Sequence, residues 1–231
     1  MKHFLFGVFS LLTLLAYSQV YPDSTLRDDK YLEDQFYIGL TYNFLVGMPE
    51  KVNQRNLSYG LQAGIIKDIP INRSRTMAFG VGLGYGVYSY YSNLRAKETP
   101  IGFEYTVITD IDSLKRSKIE THMLEMPFEF RWRNSNATDY KFWRIYAGVK
   151  LGYVIGGRSK YISNKTDKER ASFYNGDIRR FQYGLTFNFG YNTFNLHAYY
   201  ALNHLFEDGT SVEGLDIAMK PLRIGLIFYI L

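Results

Sequence analysis

The chain has no cysteine in 231 residues. That excludes disulfide frameworks, iron–sulfur clusters and thiolate zinc sites. Proline is sparse at six, tryptophan is limited to two and histidine to four. No H-E-x-x-H, no G-x-S-x-G and no run of clustered histidines appears, so the common metalloprotease and serine-hydrolase signatures are missing. There is no heptad pattern and no Gly-X-Y period. No Pro- or Ser-rich linker divides the chain, and no internal repeat longer than a hairpin is visible. What is abundant is 21 Tyr, 17 Phe and 20 Gly in a chain that is 46% hydrophobic and carries a net charge of +5. So much buriable surface excludes disorder. High Tyr and Gly with little Pro point to many strands.

Residues 1–18 read as a secretion signal. Lys2 and His3 form a short polar start, Phe4–Leu15 an apolar stretch, and Ala16-Tyr17-Ser18 a small-residue cleavage site before Gln19. The apolar stretch is shorter than the roughly 20 residues a spanning helix needs. Cleavage removes Lys2 and lowers the net charge from +5 to +4. Residues 19–34 are polar and acidic and are expected to form a periplasmic tail. Residues 35–231 are expected to form one domain.

From Phe36 onward apolar residues recur with period two, the spacing that puts them on one face of a strand. Phe181, Tyr183, Leu185, Phe187 and Phe189 alternate with Gln182, Gly184, Thr186 and Asn188. The same alternation marks Leu124–Trp132, Trp143–Tyr153 and Leu222–Ile230. Four further strands are expected near Gln35–Val46, Leu57–Lys67, Thr76–Ser92 and Phe194–Leu205. The total is eight, an even number, each long enough for a tilted membrane strand of about 9–11 residues.

The chemistry of the two faces separates a soluble sandwich from a membrane barrel. The face opposite the large apolar residues is Gly, Asn, Thr and Tyr with a few Arg and Glu, not a solvated Lys/Glu/Ser surface. Gly80, Gly82, Gly84 and Gly86 alternate with Phe79, Val81, Leu83 and Tyr85. Glycine at every second position makes room in a crowded interior and would only weaken an exposed strand. Connections alternate between short (Ile69–Arg75, Asn134–Lys141, Asn192-Thr193) and long, the longest running from Asn93 to Lys118. Trp132, Trp143, Tyr191 and Phe194 lie beside the short turns, where an aromatic girdle belongs. The fold expected is all-β: an eight-stranded antiparallel up-and-down transmembrane barrel with a filled lumen, in the outer membrane. A periplasmic lipocalin-like barrel or sandwich is the rival.

Chemistry-bearing residues are few. GVGLGYG at Gly80–Gly86 lacks the spacing and the Lys-Ser/Thr of a nucleotide loop and lies inside a strand. Ser89 and His122 share outward parity near the outer ends of adjacent strands, which raises an outer-leaflet lipid A esterase as a minor alternative. Glu125, Glu129, Arg131, Arg133, Arg144, Lys150, Arg180 and Arg223 share the lumen parity. Eight strands enclose just enough space for side chains, so these eight residues are expected to form a packed charge network rather than a pore. Arg158, Lys160, Lys165, Lys168, Arg170, Arg179 and Arg180, against Asp167, Glu169 and Asp177, crowd one outer loop and are placed to meet lipopolysaccharide phosphates. A plain solvated loop explains them equally. No catalytic residue, metal site or cofactor is expected, and no nucleic-acid partner.

The run His122-Met123-Leu124-Glu125-Met126-Pro127-Phe128-Glu129-Phe130 resembles the L-E-[IM]-P strand of a family of outer-membrane β-barrel proteins. So do Lys220-Pro221-Leu222-Arg223-Ile224-Gly225-Leu226 and the Ala-Tyr-Ser-Gln end of the signal. Within that family, Phe36–Gly47 and the tyrosine-rich Tyr85–Tyr91 are similar to the PorT group. That resemblance implies a non-enzymatic accessory role in type IX protein secretion, with gliding motility in some species, and with other secretion components as partners. A general structural barrel is the alternative. The family implies no catalytic residues to carry over.

Overall fold

A computed structural model of the chain describes residues 34–72, 74–110, 114–134, 142–164 and 170–230. The expected signal segment 1–18 and residues 19–33 of the expected tail lie outside these. Thirteen strands occur among the described residues: β1 (Asp34–Val46), β2 (Tyr59–Pro70), β3 (Met77–Tyr91), β4 (Leu94–Thr99), β5 (Gly102–Val107), β6 (Leu114–Arg133), β7 (Trp143–Ser163), β8 (Arg170–Tyr174), β9 (Phe181–Tyr191), β10 (Phe194–Ala201), β11 (Ser211–Val212), β12 (Leu215–Asp216) and β13 (Lys220–Ile230). Eight of them close into an antiparallel barrel in the order β1, β2, β3, β6, β7, β9, β10, β13. The seam joins β1 to β13 in register from Phe36↔Ile230 to Val46↔Lys220. Closure pairs backbone groups around the sheet and leaves no open edge, which a bilayer requires.

The eight barrel strands are those the alternation predicts, but several differ in extent, β2 running to Pro70 rather than Lys67. β6 and β7 run to 20 and 21 residues, roughly double their apolar portions. The stretch Asn93–Lys118 is therefore not a plain loop. It holds the β4–β5 hairpin and the first five residues of β6. β10 ends at Ala201 rather than Leu205, because the Asn203 side chain takes over the ladder: its Oδ1 accepts from the Tyr183 amide (3.2 Å) and its Nδ2 donates to the Phe181 carbonyl (2.8 Å). β8 adds a short strand to the far end of β7.

Burial is inverted relative to a soluble protein. Along β9, Phe181, Tyr183, Leu185, Phe187 and Phe189 are exposed while Gln182, Gly184, Thr186 and Asn188 are buried. Apolar surface left in water forfeits about 25 cal/mol per Å², so a barrel wearing it all round is one whose solvent is lipid. On β7 this belt runs from Trp143 to Tyr153. With a strand rise of about 3.3 Å and a tilt near 40°, it is about 25 Å tall, the height of the apolar band in outer-membrane barrels. Trp143 stacks on Phe189 (5.3 Å) and meets Tyr191 at a tilt (5.2 Å), and Phe194 meets Phe228 (5.4 Å), forming aromatic contacts beside the short turns. β6 and β7 continue about as far again beyond the belt on the other side.

Two apolar clusters lie inside. Near the short turns, Tyr37, Ile66, Tyr146, Ile227 and Tyr229 pack together. At the outer end a larger cluster joins Tyr88, Tyr90, Met123 and Val154 of the barrel wall to Leu94, Ala96 and Tyr105 of β4–β5 and to Leu205, Phe206, Val212, Ile217 and Met219. The long connections thus fold inward and roof the barrel with a core of their own.

Candidate functional site

The lumen face of β3 begins the site. A Cβ on Gly80 would lie 2.7 Å from Arg131 Nε, and one on Gly84 would lie 2.0 Å from the Tyr37 hydroxyl. The missing side chains are the space into which a guanidinium and a phenol project. The GVGLGYG run is therefore an interior wall, not a phosphate loop.

Two charge clusters occupy that space. In the outer one, Glu125 accepts from the Tyr88 hydroxyl (2.7 Å), Lys150 Nζ (3.1 Å) and Arg223 Nη1 (3.3 Å). Lys150 also donates to Gln62 Oε1 (2.6 Å), and Arg223 Nε donates to the Tyr90 hydroxyl (3.1 Å). The Arg223 guanidinium lies 3.4 Å from the Tyr88 ring centre and 4.4 Å from that of Tyr199. In the inner cluster, Asp68 is paired with both Arg131 and Arg133. Arg131 Nε donates to Glu129 (3.0 Å) and its Nη1 to Gln35 (3.1 Å). Glu129 accepts in turn from Asn188 (3.2 Å), whose Oδ1 meets His197 Nδ1 (2.6 Å).

The buried formal charges are Asp68, Glu125 and Glu129 against Arg131, Arg133, Arg144, Lys150 and Arg223. Cations are in excess, and aromatic faces absorb part of it. Arg131 lies over Tyr146 (4.3 Å) and Tyr229 (5.1 Å), and Arg144 over Phe142 (4.5 Å). Such contacts strengthen when desolvated, to about 2 kcal/mol. Parity missed three kinds of participant: Asp68, the neutral partners Gln35, Gln62 and Asn188, and the tyrosines.

Arg180 is a correction. It shares lumen parity in the sequence, yet it is exposed. β9 begins one residue later at Phe181, so the alternation does not extend to Arg180, which lies on the bend before the strand. Gln182 is the first inward side chain of β9.

Ser89 is a second correction. Its parity is outward, but it is fully buried. Its hydroxyl donates to Glu120 Oε2 (3.2 Å), a carboxylate also bonded by Lys118. His122 Nε2 stands 3.7 Å from the other oxygen of Glu120, while its Nδ1 meets the Tyr85 hydroxyl at 2.6 Å. The carboxylate therefore separates serine from imidazole. A hydrolase needs the imidazole in the middle, taking the serine proton and steadied by the acid. Among the described residues no group of three or more His, Asp or Glu is arranged to hold a metal ion.

The basic outer loop is only partly described. Lys165, Asp167, Lys168 and Glu169 fall outside the described residues. Arg179 is paired with Asp208 (2.5 Å) and Glu207 (3.6 Å). Arg158 and Arg170 are exposed on β7 and β8. Asp177 accepts from the Tyr105 hydroxyl (3.0 Å), which also receives Asn175 Nδ2 (2.9 Å); burial pushes the Tyr105 phenol well above its usual pKa.

A lipid-facing apolar belt around an antiparallel eight-stranded wall with a polar interior defines an outer-membrane β-barrel. Residues 17–207 match the family described as outer membrane protein beta-barrel domain, and the chain belongs to that family. Among solved structures it is similar to Ail, the attachment invasion locus protein of Yersinia pestis. The crystal structure of Ail in complex with the heparin analogue sucrose octasulfate shares 13% identity over 85% of this chain and 97% of that one, with a TM-score of 0.37. A second Ail crystal structure gives the same identity and coverage with a TM-score of 0.31. No curated protein matches the chain.

Proposed function

We propose that this outer-membrane barrel is a non-enzymatic accessory component of type IX protein secretion. The observation that carries the reading is an interior crossed by Glu125, Lys150, Arg223, Asp68 and Arg131, each nearly inaccessible to solvent, beneath a roof of buried apolar side chains. Such an interior favours work done through surfaces over passage of a solute. The similarity of Phe36–Gly47 and Tyr85–Tyr91 to the PorT group then supplies the pathway. Ser89, buried and bonded to Glu120, disfavours an outer-leaflet esterase.

The test is to delete the gene and measure type IX cargo on the cell surface. The reading requires cargo to accumulate in the periplasm, with export restored by the wild-type chain and equally by a Ser89→Ala/His122→Ala variant. Normal export in the deletion strain refutes the secretion role and leaves a general structural barrel. A change in lipid A acylation confined to the double variant favours the esterase instead.

A further inference from the structure

The barrel wall changes partner at one place. β7 pairs with β9 as far as Tyr153↔Phe181, then with β8 from Arg158↔Tyr174. Between these ladders residues 154–157 face residues 175–180. Only two backbone bonds cross there, Val154 N to the Arg180 carbonyl (2.7 Å) and Asn175 N to the Gly157 carbonyl (2.9 Å). On its other side β7 carries a bulge: Met123 pairs with Val154 and His122 with Gly156, which leaves Ile155 as the extra residue. The result is a notch of about 330 Å³ in the outer surface, lined by Tyr153, Ile155, Gly156, Tyr174, Gly176 and Arg180.

Its depth follows from the strand below it. Tyr153 closes the apolar belt that begins at Trp143, so the notch opens at the level of the outer-leaflet headgroups. Its lower edge holds the exposed Tyr153 and Ile155 together with Arg180, which lies level with Val154, and its upper edge, where the β7–β8 ladder starts, holds Arg158 and Tyr174. Arg180 lines the notch, and Arg158 lies over the Tyr174 ring (4.5 Å) and donates to that residue's hydroxyl (2.6 Å). The acid facing Arg158 across the ladder is Glu120, which is already engaged by Lys118 and Ser89. Asp177, beside the notch, accepts from Tyr105.

Guanidinium groups recognise phosphate through paired, charge-assisted hydrogen bonds. Aromatic rings at an interface accept sugar and acyl surface together. We infer that the notch binds the phosphorylated saccharide headgroup of an outer-leaflet glycolipid, with phosphate on Arg158 and Arg180 and acyl chains running down over Tyr153 and Ile155. Neither the secretion role nor its failure bears on this.

The test uses the full chain in detergent micelles, titrated separately with diphosphorylated lipid A, with lipid A stripped of both phosphates, with phosphatidylglycerol and with inorganic phosphate, and read by native mass spectrometry. Diphosphorylated lipid A is expected to bind, and the double variant Arg158→Gln/Arg180→Gln to weaken it about a hundredfold, the loss of one charged hydrogen bond at each arginine. Lys97→Gln, on the exposed face of the β4–β5 hairpin, is the neutral comparison. Gly156→Leu provides an independent probe: Gly156 lines the notch and a Cβ there meets nothing closer than His122 at 3.7 Å, so the substitution is expected to be tolerated, to narrow the notch and to weaken binding similarly. Equal affinity for the dephosphorylated lipid, or unchanged binding in both notch variants, overturns the inference. So does displacement by millimolar inorganic phosphate, or phosphatidylglycerol binding as tightly, since each reassigns the site to phosphate in general.

Discussion

Removing Glu125 is the sharpest test of the interior. Its carboxylate is the acceptor shared by Lys150, Arg223 and Tyr88, and none of the four is solvent-accessible beyond a few per cent. In Glu125→Ala, Lys150 retains Gln62 and Arg223 retains Tyr90 as hydrogen-bond partners, but no carboxylate remains against either charge. Breaking a buried pair in this way costs about 3–5 kcal/mol. Glu104, exposed on β5, is the comparison, and its removal costs about 0–1 kcal/mol. The assay is denaturant unfolding in lipid vesicles followed by tryptophan emission. Trp132 and Trp143, the chain's two tryptophans, both lie on the lipid-facing surface and move into water on unfolding. A clear drop in midpoint is expected for Glu125→Ala and almost none for Glu104→Ala. Adding Lys150→Met to Glu125→Ala should recover part of the loss, because it removes one stranded cation. Coincident midpoints for the two single variants would show a hydrated lumen and refute the packed-network reasoning.

Two further outcomes follow from other parts of the molecule. A Cβ on Gly148 would lie 1.9 Å from the Phe128 carbonyl oxygen, a backbone atom that cannot step aside. Gly148→Ala should therefore destabilise the barrel by about 1–3 kcal/mol, whereas Gly156→Ala should stay within about 0.5 kcal/mol; the same unfolding assay distinguishes them. At the roof, the Tyr105 phenol is raised in pKa mainly by burial. A folded pKa above the unfolded one means its contribution is complete below the phenol's ordinary value of 10.0 and declines as pH rises beyond it. The wild-type roof should loosen above that pH more steeply than in Tyr105→Phe, as read by hydrogen exchange of the β4–β5 amides.

The strand inventory was legible because period-two alternation is local: Phe181 to Phe189 declares its own two faces without reference to any other strand. The inward charges of β6, β7 and β13 were legible for the same reason. Asp68 was not, because Lys67-Asp68-Ile69-Pro70 reads as the approach to a turn and its arginine partners lie more than sixty residues away. Arg180 and Ser89 show the limit from the other side. Parity holds only within a paired strand, so it fails one residue before β9 begins. It reports direction and not cover, so it could not reveal that Ser89 lies beneath its neighbours. The slip between His122 and Met123 and the change of partner from β9 to β8 depend on register across strands, which no single segment encodes.

The interior bonds tie together parts of the chain that are remote in order. Arg223 of β13 reaches Glu125 of β6, and Arg131 of β6 reaches Gln35 of β1. Assembly therefore has a built-in checkpoint. Until β13 arrives, Glu125 has Lys150 but lacks Arg223, and β1 has an unpaired edge, so a partly inserted barrel carries both an open margin and an unbalanced charge. Both defects disappear in one event, when the seam closes. Folding intermediates stalled before that event should be markedly less stable than the number of strands already in place suggests, which makes insertion of the chain close to all-or-none.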